Sequence, residues 1–189
     1  MTTKCGDSVR VAHPLFQGET GGSTPTSPLQ LNIEEIPLDQ AKDLNRLWHS
    51  RLPQYRTGCR PKQHAWVCFG AIFENRIYAI AIWSHPNSRA LDSSDTLELR
   101  RMAISPDAPK NTASRMLSIM VKEIRKIEPA MVRFISYQDT EVHAGTIYKA
   151  ANWFKAAEND AMDYSMAGKR SRPPKPNNAR KIRWEYLIK

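Results

Sequence analysis

The chain has 189 residues, a length that suits one domain better than two. With 41% hydrophobic and 25% charged residues, most of it can fold around a core, and its apolar runs are far shorter than a membrane span of roughly 18 residues. Lys and Arg number 28 against 19 Asp and Glu, and the net charge of +9 favours partners that carry phosphates. The three cysteines, without CxxC spacing, indicate neither a disulfide framework nor a zinc knuckle. No apolar segment typical of a signal peptide follows Met1, so we expect a cytoplasmic protein that is not bound to membranes.

The composition of both ends differs from that of the middle. Residues 1–29 hold four of the eight glycines and a run of Gly, Ser, Thr and Pro, so we predict a flexible N-terminal arm. Residues 30–189 are expected to form the domain. Within it, residues 168–183 carry seven Lys and Arg, no acidic residue and three prolines, which keep the middle of the segment out of helices and strands. We expect this basic segment to precede the last strand.

Hydrophobic periodicity predicts the elements of the first half of the domain. A helix begins around Pro37 and Asp39 and ends before Pro53. Its apolar face comprises Leu38, Ala41, Leu44, Leu47 and Trp48. Two apolar runs on either side of Glu-Asn-Arg predict an antiparallel hairpin, and a third alternating run follows them. The predicted strands of this half are residues 31–36, 65–74, 76–83 and 96–104.

The second half of the domain alternates helices with strands. A long helix has Asn111 or Thr112 as its side-chain cap and Pro129 as its stop. Its apolar positions are Met116, Leu117, Ile119, Met120, Ile124 and Ile127. The elements predicted after it are a strand over 131–137, an amphipathic helix over 141–153 and a strand over 182–188. An antiparallel meander followed by strand–helix–strand, with flanking helices, is an α/β fold (an α+β mixed sheet) in a single domain.

The loop before the long helix has the features of a phosphate-binding site. A strand that ends in a loop, followed at once by a helix, presents backbone N–H groups and the positive helix end to a ligand. The candidate cofactor-binding residues of this loop are Lys110, Asn111, Thr112, Ala113, Ser114 and Arg115. A capped helix after a proline turn would account for the same residues without a ligand. Together with the topology, the loop resembles that of the GNAT acyltransferases, which implies acetyl-CoA or a related acyl-CoA, although Pro109, Thr112 and Ser114 stand where that family usually has Arg, Gly and Gly.

A second candidate site follows the strand over 131–137. Asp139 leaves the end of the strand, where open α/β sheets gather ligands. His143 follows four residues later, and Tyr148 lies one turn into the next helix, facing the same end. Tyr148 could deliver a proton to a departing thiolate, and Asp139 or His143 could take one from a nucleophilic amine. Each residue also has an ordinary explanation: a helix cap, a surface histidine and a core aromatic. The three together favour a catalytic site.

Longer motifs resemble the phage-encoded Mom-type proteins over about residues 31–189. These motifs are Ser136-Tyr-Gln-Asp139, His143-x-Gly-Thr-Ile-Tyr148, Ala151-Asn-Trp153, Leu97-Glu-Leu-Arg-Arg-Met102, the stretch 106–115 and Leu47-Trp-His-Ser-Arg-Leu-Pro53. The resemblance implies a GNAT-like fold and the modification of adenine in phage DNA, which blocks restriction. It also implies that Arg101 and Ser114 belong to the cofactor and substrate cleft and that Asp139 and Tyr148 are catalytic. His49 falls where members carry a histidine that could bind a metal, and with Asp139 and Tyr148 it would give a ligand set suited to iron.

Basic and aromatic residues interleave between the first helix and the hairpin, as nucleic-acid contacts and base stacking require. The candidate DNA-binding residues are His49, Arg51, Tyr55, Tyr137, Lys169, Arg170 and Arg172. An adenine amine inside a duplex is unreachable, so the enzyme would need single strands or base flipping, with aromatic residues holding the base. Solvated arginines and core aromatics are the alternative explanation.

We therefore predict a Mom-type DNA-modification enzyme that adds a small acyl-derived group to the N6 amine of adenine. One alternative is an acetyl-CoA-dependent N-acetyltransferase that acts on a protein or a small amine. The other is a DNA-binding protein without activity, since the loop over 109–114 contains no glycine. The sequence leaves open whether the protein is a monomer or a homodimer.

Overall fold

The computed structural model describes residues 23–55, 65–88, 90–159 and 180–188. These residues form seven strands: β1 Asn32–Glu35, β2 Ala65–Phe73, β3 Arg76–Ser84, β4 Thr96–Ile104, β5 Arg133–Asp139, β6 Phe154–Asn159 and β7 Lys181–Leu187. Their α-helices are α1 Leu38–Trp48, α2 Thr112–Ile127 and α3 Thr146–Ala150. The strands make one sheet in the order β1-β2-β3-β4-β5-β7-β6, antiparallel except for the β4–β5 pair. The α/β mixed-sheet prediction is confirmed. Within the described ranges, no helix has the length and apolar character needed to span a membrane.

The predicted meander forms because its strands carry apolar residues on both faces. β2 and β3 are joined by a tight turn in which Glu74 and Asn75 take positive φ values of 46° and 62°. Such values match the twist of a two-residue hairpin turn. Helix α1 covers one face of the meander with Ala41 and Leu44, which pack with Ile80. This side of the sheet is called the α1 face below.

Helix α2 covers the opposite face, called the α2 face. Its buried side chains are Met116, Leu117, Met120, Val121 and Ile124, all in one cluster with Trp83, Leu97 and Phe134. Burial of one such side chain contributes about 1.5–3 kcal/mol. Two positions of the predicted apolar faces lie outside the core, because Leu47 is 44% exposed and Ile127 is 56% exposed at the last turns of their helices. Val121 takes part in the core instead.

The segment between β5 and β7 differs most from the prediction. The helix predicted over 141–153 is confined to Thr146–Ala150. Asp139 Oδ1 accepts a hydrogen bond from the Glu141 N–H at 3.0 Å, which holds a turn there, and Gly145 at φ 74° begins the helix late. Asn152 at φ 62° ends it, and the chain continues into β6, a strand that the sequence analysis missed.

The end of the predicted arm and the end of the basic segment are also described. Residues 28–30 form a 3₁₀ turn capped by Ser27, and Leu31 next to it is buried. Residues 1–22 and 160–179 lie outside the described residues, so most of the predicted arm and basic segment does too. Lys181, which the sequence analysis placed in the basic segment, is the first residue of β7.

Strands β4 and β5 part at the centre of the sheet. Their parallel pairing runs from Thr96↔Arg133 to Leu99↔Ser136, whereas β4 continues to Ile104 and β5 continues to Asp139 alongside β7. A bulge lies at the same level, because Trp83 pairs with Leu99 and Ile82 pairs with Arg101, which leaves Arg100 as the extra residue. The two strands therefore leave a gap between them beyond Leu99 and Ser136, towards their carboxyl ends.

Candidate active site

A cavity of about 400 Å³ occupies the gap between β4 and β5. Its walls come from both faces of the sheet: Met102, Ile104 and Ile147 pack with the α2-side core, and Ala103 and Trp48 belong to the α1-side core. The end of the cavity on the α1 face, called the mouth below, is lined by the exposed residues Ser50 and Arg51 together with His49 and Lys181. The candidate residues Arg101, Tyr137, Asp139, His143 and Tyr148 all line this one cavity.

Tyr148 presents a neutral phenol to the cavity. Its side chain is 4% exposed and stacks on Trp184 with ring centroids 5.3 Å apart. Its hydroxyl is 2.9 Å from Ser136 Oγ, which lies on the α2 face of β5. Burial raises the pKa of Tyr148 to about 12, and the hydrogen bond to Ser136 partly opposes that shift. At neutral pH the group is thus a proton donor. Ser136 is a site residue that the sequence analysis quoted only as part of a motif.

Asp139 carries a buried oxygen without a hydrogen-bond partner. Oδ1 accepts from the Glu141 N–H, but Oδ2 is buried and accepts no hydrogen bond from the described residues. Buried polar atoms are nearly always paired, so an unpaired carboxylate oxygen in a cavity wall is suited to accept an N–H of a ligand. The end of β5 therefore offers one free acceptor to the cavity.

The two histidines of the cavity are held as neutral donors. His49 Nδ1 accepts from the Leu52 N–H and His143 Nδ1 accepts from the Gly145 N–H, both at 3.2 Å. A neutral imidazole that accepts at Nδ1 carries its proton on Nε2. Burial lowers the pKa of both groups, with a further contribution from Arg101 at His49 and an opposing one from Asp139 at His143. His143 therefore suits hydrogen-bond donation better than the proton abstraction considered from sequence.

The same geometry is a poor fit to the suggested iron. A metal bound at Nε2 of His49 needs the proton on Nδ1, but Nδ1 is the acceptor for Leu52. Across the described ranges, no group of three or more His, Cys, Asp and Glu side chains could hold a metal ion. The residues around His49 therefore do not fit an iron site.

Arg101 supplies positive charge to the cavity. Its Nη1 donates to the Arg100 carbonyl at 2.6 Å, and its guanidinium lies 5.8 Å from the centroid of the Tyr55 ring. Its Nε is buried and makes no hydrogen bond to the described residues. Burial and the neighbouring Arg100 lower the pKa of Arg101, although a guanidinium remains charged at neutral pH. The Tyr55 ring thus lies against the guanidinium of Arg101 and does not itself line the cavity.

The loop before α2 lines a second cavity of about 310 Å³. Residues 109–114 and α3 form its walls, and it shares Ile104, Ala113 and Ile147 with the first cavity. Arg101 lines only the first cavity and Arg115 lines neither, so the predicted cofactor residues divide between neighbouring spaces. Lys110, Asn111, Thr112, Ala113 and Ser114 lie together as predicted.

The start of α2 lacks the predicted side-chain cap. Thr112 Oγ1 donates to the Pro109 carbonyl at 2.7 Å, Ser114 Oγ donates to the Asn111 carbonyl at 3.0 Å, and Asn111 makes no capping bond. Asn111 instead takes the left-handed conformation, with φ 68° and ψ 7°. Asparagine tolerates this region better than other residues with a Cβ, so the chain turns here without a glycine. The first-turn N–H groups of α2 donate no hydrogen bond to the Asn111 side chain.

The remaining DNA-binding candidates are placed only in part. Arg51 Nη2 donates to Glu141 Oε2 at 2.7 Å across the mouth. Tyr137 lines the cavity, and burial raises its pKa while a hydrogen bond from Arg183 opposes that shift. Lys169, Arg170 and Arg172 lie outside the described residues.

The fold is that of the GNAT acetyltransferases. An acetyltransferase of Bacillus subtilis in complex with CoA aligns over 84% of this chain and 99% of its own, with a TM-score of 0.54 and 12% identity. The IAA acetyltransferase from Bacillus cereus aligns over the same shares, with a TM-score of 0.58 and 14% identity. The GNAT-like fold expected from the sequence is therefore confirmed.

Within that class, the chain belongs to the Mom protein family, whose profile matches residues 30–184. A curated relative, the methylcarbamoylase Mom of Escherichia phage Mu, is 31% identical over 78 residues. That match covers 41% of this chain and 32% of the phage protein, so it spans about a third of the relative's length. The resemblance inferred from the motifs is confirmed at the level of the family.

Proposed function

We propose that this protein modifies DNA by transferring a small acyl-derived group from an acyl-CoA to the N6 amine of adenine. The observation that carries the proposal is the cavity through the opened sheet, which places the proton donor Tyr148 and the free acceptor of Asp139 in one space. This space adjoins the cleft before α2 on one side and a basic mouth on the other. Membership of the Mom family supports DNA as the substrate.

The described residues fit an acyl-CoA. Residues 109–114 would hold its phosphates with the first-turn N–H groups of α2 and with Lys110. Beyond Leu99, the β5 side of β4 is free of strand pairing, so its backbone groups can pair with the amides of an extended arm. When bound, the cofactor supplies an activated acyl thioester with a thiolate leaving group. The CoA bound to the B. subtilis protein of the same fold is consistent with this assignment.

Each of these cavity residues offers the substrate a proton donor or a proton acceptor at a defined atom. Tyr148 donates its phenolic proton to the leaving sulfur. Either hydroxyl can donate in the 2.9 Å hydrogen bond between Ser136 and Tyr148. The reaction requires Ser136 as the donor, because the phenolic hydrogen is then free to point into the cavity. Asp139 Oδ2 accepts a hydrogen bond from the attacking amine and takes the proton that the amine loses as the C–N bond forms and the C–S bond breaks. His49 and His143 donate from Nε2 to acceptors of the substrate. Arg101 stabilises negative charge that develops in the transition state.

The mouth of the cavity suits an adenine that has been flipped out of the stacked bases of DNA. Trp48 and Tyr137 line the cavity and offer aromatic surfaces to an adenine, and Arg51 and Lys181 place cations beside its backbone. Since the N6 amine is the nucleophile, the reaction requires that amine on the base.

A direct test uses the purified full chain, an acyl-CoA and a single-stranded oligonucleotide with one adenine. We expect a mass increase on the adenine oligonucleotide and none on a matched oligonucleotide with hypoxanthine, which lacks the amine. Tyr148→Phe should remove the product, whereas Lys122→Ala, on the exposed side of α2, should retain it. Equal labelling of both oligonucleotides would overturn the assignment of the amine. Acetylation of added amines or proteins, with both oligonucleotides unchanged, would identify an N-acetyltransferase.

A further inference from the structure

The sheet carries a basic surface on its α1 face, next to the mouth of the cavity. The bulge in β4 brings consecutive arginines to this face, because Arg100 Nε lies 3.5 Å from Glu98 Oε1 while Arg101 lies over Tyr55, which packs with the α1-side core. A regular strand would alternate two such neighbours between opposite faces. The irregularity therefore concentrates charge beside the site.

Strand β7 continues this surface away from the mouth. Lys181 pairs in register with Asp139, and Arg183 pairs with Tyr137. Trp184 between Arg183 and Glu185 lies in the α2-side core, so alternation places Lys181, Arg183 and Glu185 on the α1 face. These side chains form a row along β7 that begins at Lys181, which lines the cavity, and continues to Arg183.

Of the three carboxylates on this face, Glu98 and Glu185 form ion pairs with arginines, and the cations outnumber all three. Glu185 accepts a hydrogen bond from Arg133 at 2.8 Å and forms an ion pair with Arg183, whose Nε lies 2.8 Å from Glu185 Oε1. Glu98 forms an ion pair with Arg100 and accepts a hydrogen bond from the Asn87 N–H at 3.2 Å. The cations of the face are Arg100, Arg101, Arg133, Lys181 and Arg183, against the carboxylates Glu98, Glu185 and Asp139. A guanidinium has five N–H donors, so an arginine that holds one glutamate keeps donors for a second anion.

On this basis we propose that the strand of DNA entering the site runs along β7, where Lys181 and Arg183 bind its phosphates on one side of the nucleotide held in the cavity. The inference rests on the proposed function and adds a path to it. No ion pair of Lys181 occurs within the described ranges, so its ammonium group is open to a phosphate. The partner is a single strand of nucleic acid because its phosphates repeat along the row of cations.

The test is the salt dependence of binding of the full chain to a fluorescent single-stranded oligonucleotide. Each lost phosphate contact lowers the slope of log K against log salt by about 0.7 for single strands. We expect that change for Lys181→Ala and for Lys181→Gln, a similar change for Arg183→Gln, and the wild-type slope for Lys181→Arg. Lys122→Ala removes the same charge from the exposed side of α2 and should leave the slope unchanged. Thermal melting of each variant verifies that it is folded.

The outcomes separate this inference from the proposed function. Folded Lys181 and Arg183 variants with the wild-type slope would overturn the path along β7, even if the wild-type protein modifies DNA. A slope that falls as expected, without modification of the oligonucleotide, would support the path and count against the enzyme. Wild-type binding without salt dependence would overturn the path along β7. Equally tight binding to anionic vesicles would show that the surface binds polyanions in general and would overturn the assignment to a DNA strand.

Discussion

The hydrogen bond between Ser136 and Tyr148 is the contact on which the geometry of the site depends most. Both residues are buried, at 3% and 4% exposure, and their oxygens are 2.9 Å apart. Ser136→Ala leaves the Tyr148 hydroxyl without this partner, and Tyr148→Phe does the same to the Ser136 hydroxyl. An orphaned buried hydroxyl costs about 1–3 kcal/mol, so each single variant should lose that much free energy of unfolding.

The double variant distinguishes this contact from general damage to the core. Ser136→Ala with Tyr148→Phe leaves neither hydroxyl, so its loss should be smaller than the sum of the single losses by about 1–2 kcal/mol. Urea unfolding followed by fluorescence gives the free energies, and melting temperatures should shift by roughly 2–4 °C per kcal/mol. Strictly additive losses would refute the hydrogen bond.

The activities of the same variants should follow a different order. Tyr148→Phe removes the proton donor and should lower the rate by about 10²–10⁴-fold. Ser136→Ala keeps the phenol and loses only its orientation, so we expect a smaller loss, with the apparent pKa of the basic limb of the pH–rate profile moved upwards. Equal losses for both variants would contradict the assignment of Tyr148 as the donor.

Three further predictions concern the segments around the cavity. Gly145→Ala should destabilise the protein by at least about 1–2 kcal/mol, because φ is 74° and a Cβ would lie 2.5 Å from Gln138 Oε1 and 2.8 Å from Trp184 Cζ2. Thermal melting tests this prediction, with Ala150→Gly as the comparison variant. The folded-state pKa of His49 and His143 is lowered, so the stability they contribute is present above their unfolded pKa near 6.5 and is lost as pH falls below it; His49→Gln and His143→Gln should each flatten this acid limb in urea unfolding. Ala113→Phe fills the space shared by the two cavities and should abolish thermal stabilisation by CoA while DNA binding is retained, whereas Ser118→Phe, further along α2, should keep both.

The meander could be predicted from the sequence because its strands alternate or are continuously apolar. Thr96–Ile104 is recovered to the residue, and the hairpin differs by one residue at two ends. Strand β6 could not be predicted because it is an edge strand whose side chains are mostly exposed, so Phe154–Glu158 carries no alternating pattern. The apolar spacing of 141–153 resembles a helix, but turns at Asp139 and Gly145 override it.

The members of the site were predictable, but their roles depend on the fold. Asp139, His143 and Tyr148 follow one strand, whereas their approach to His49 and Arg101 depends on the parting of β4 from β5, which spacing along the chain does not reveal. The two backbone N–H groups that hold the histidines neutral are equally invisible in sequence. Ser136 was missed because its importance comes from the face of β5 it occupies.

The most direct test of the account is mass spectrometry of the nucleosides of DNA from cells that express this protein, beside cells that express Tyr148→Phe. We expect a new adenine adduct with the wild-type protein and none with Tyr148→Phe, although both proteins are soluble and folded. Unchanged adenine in cells that contain folded wild-type protein, or an adduct that persists in Tyr148→Phe, would contradict it.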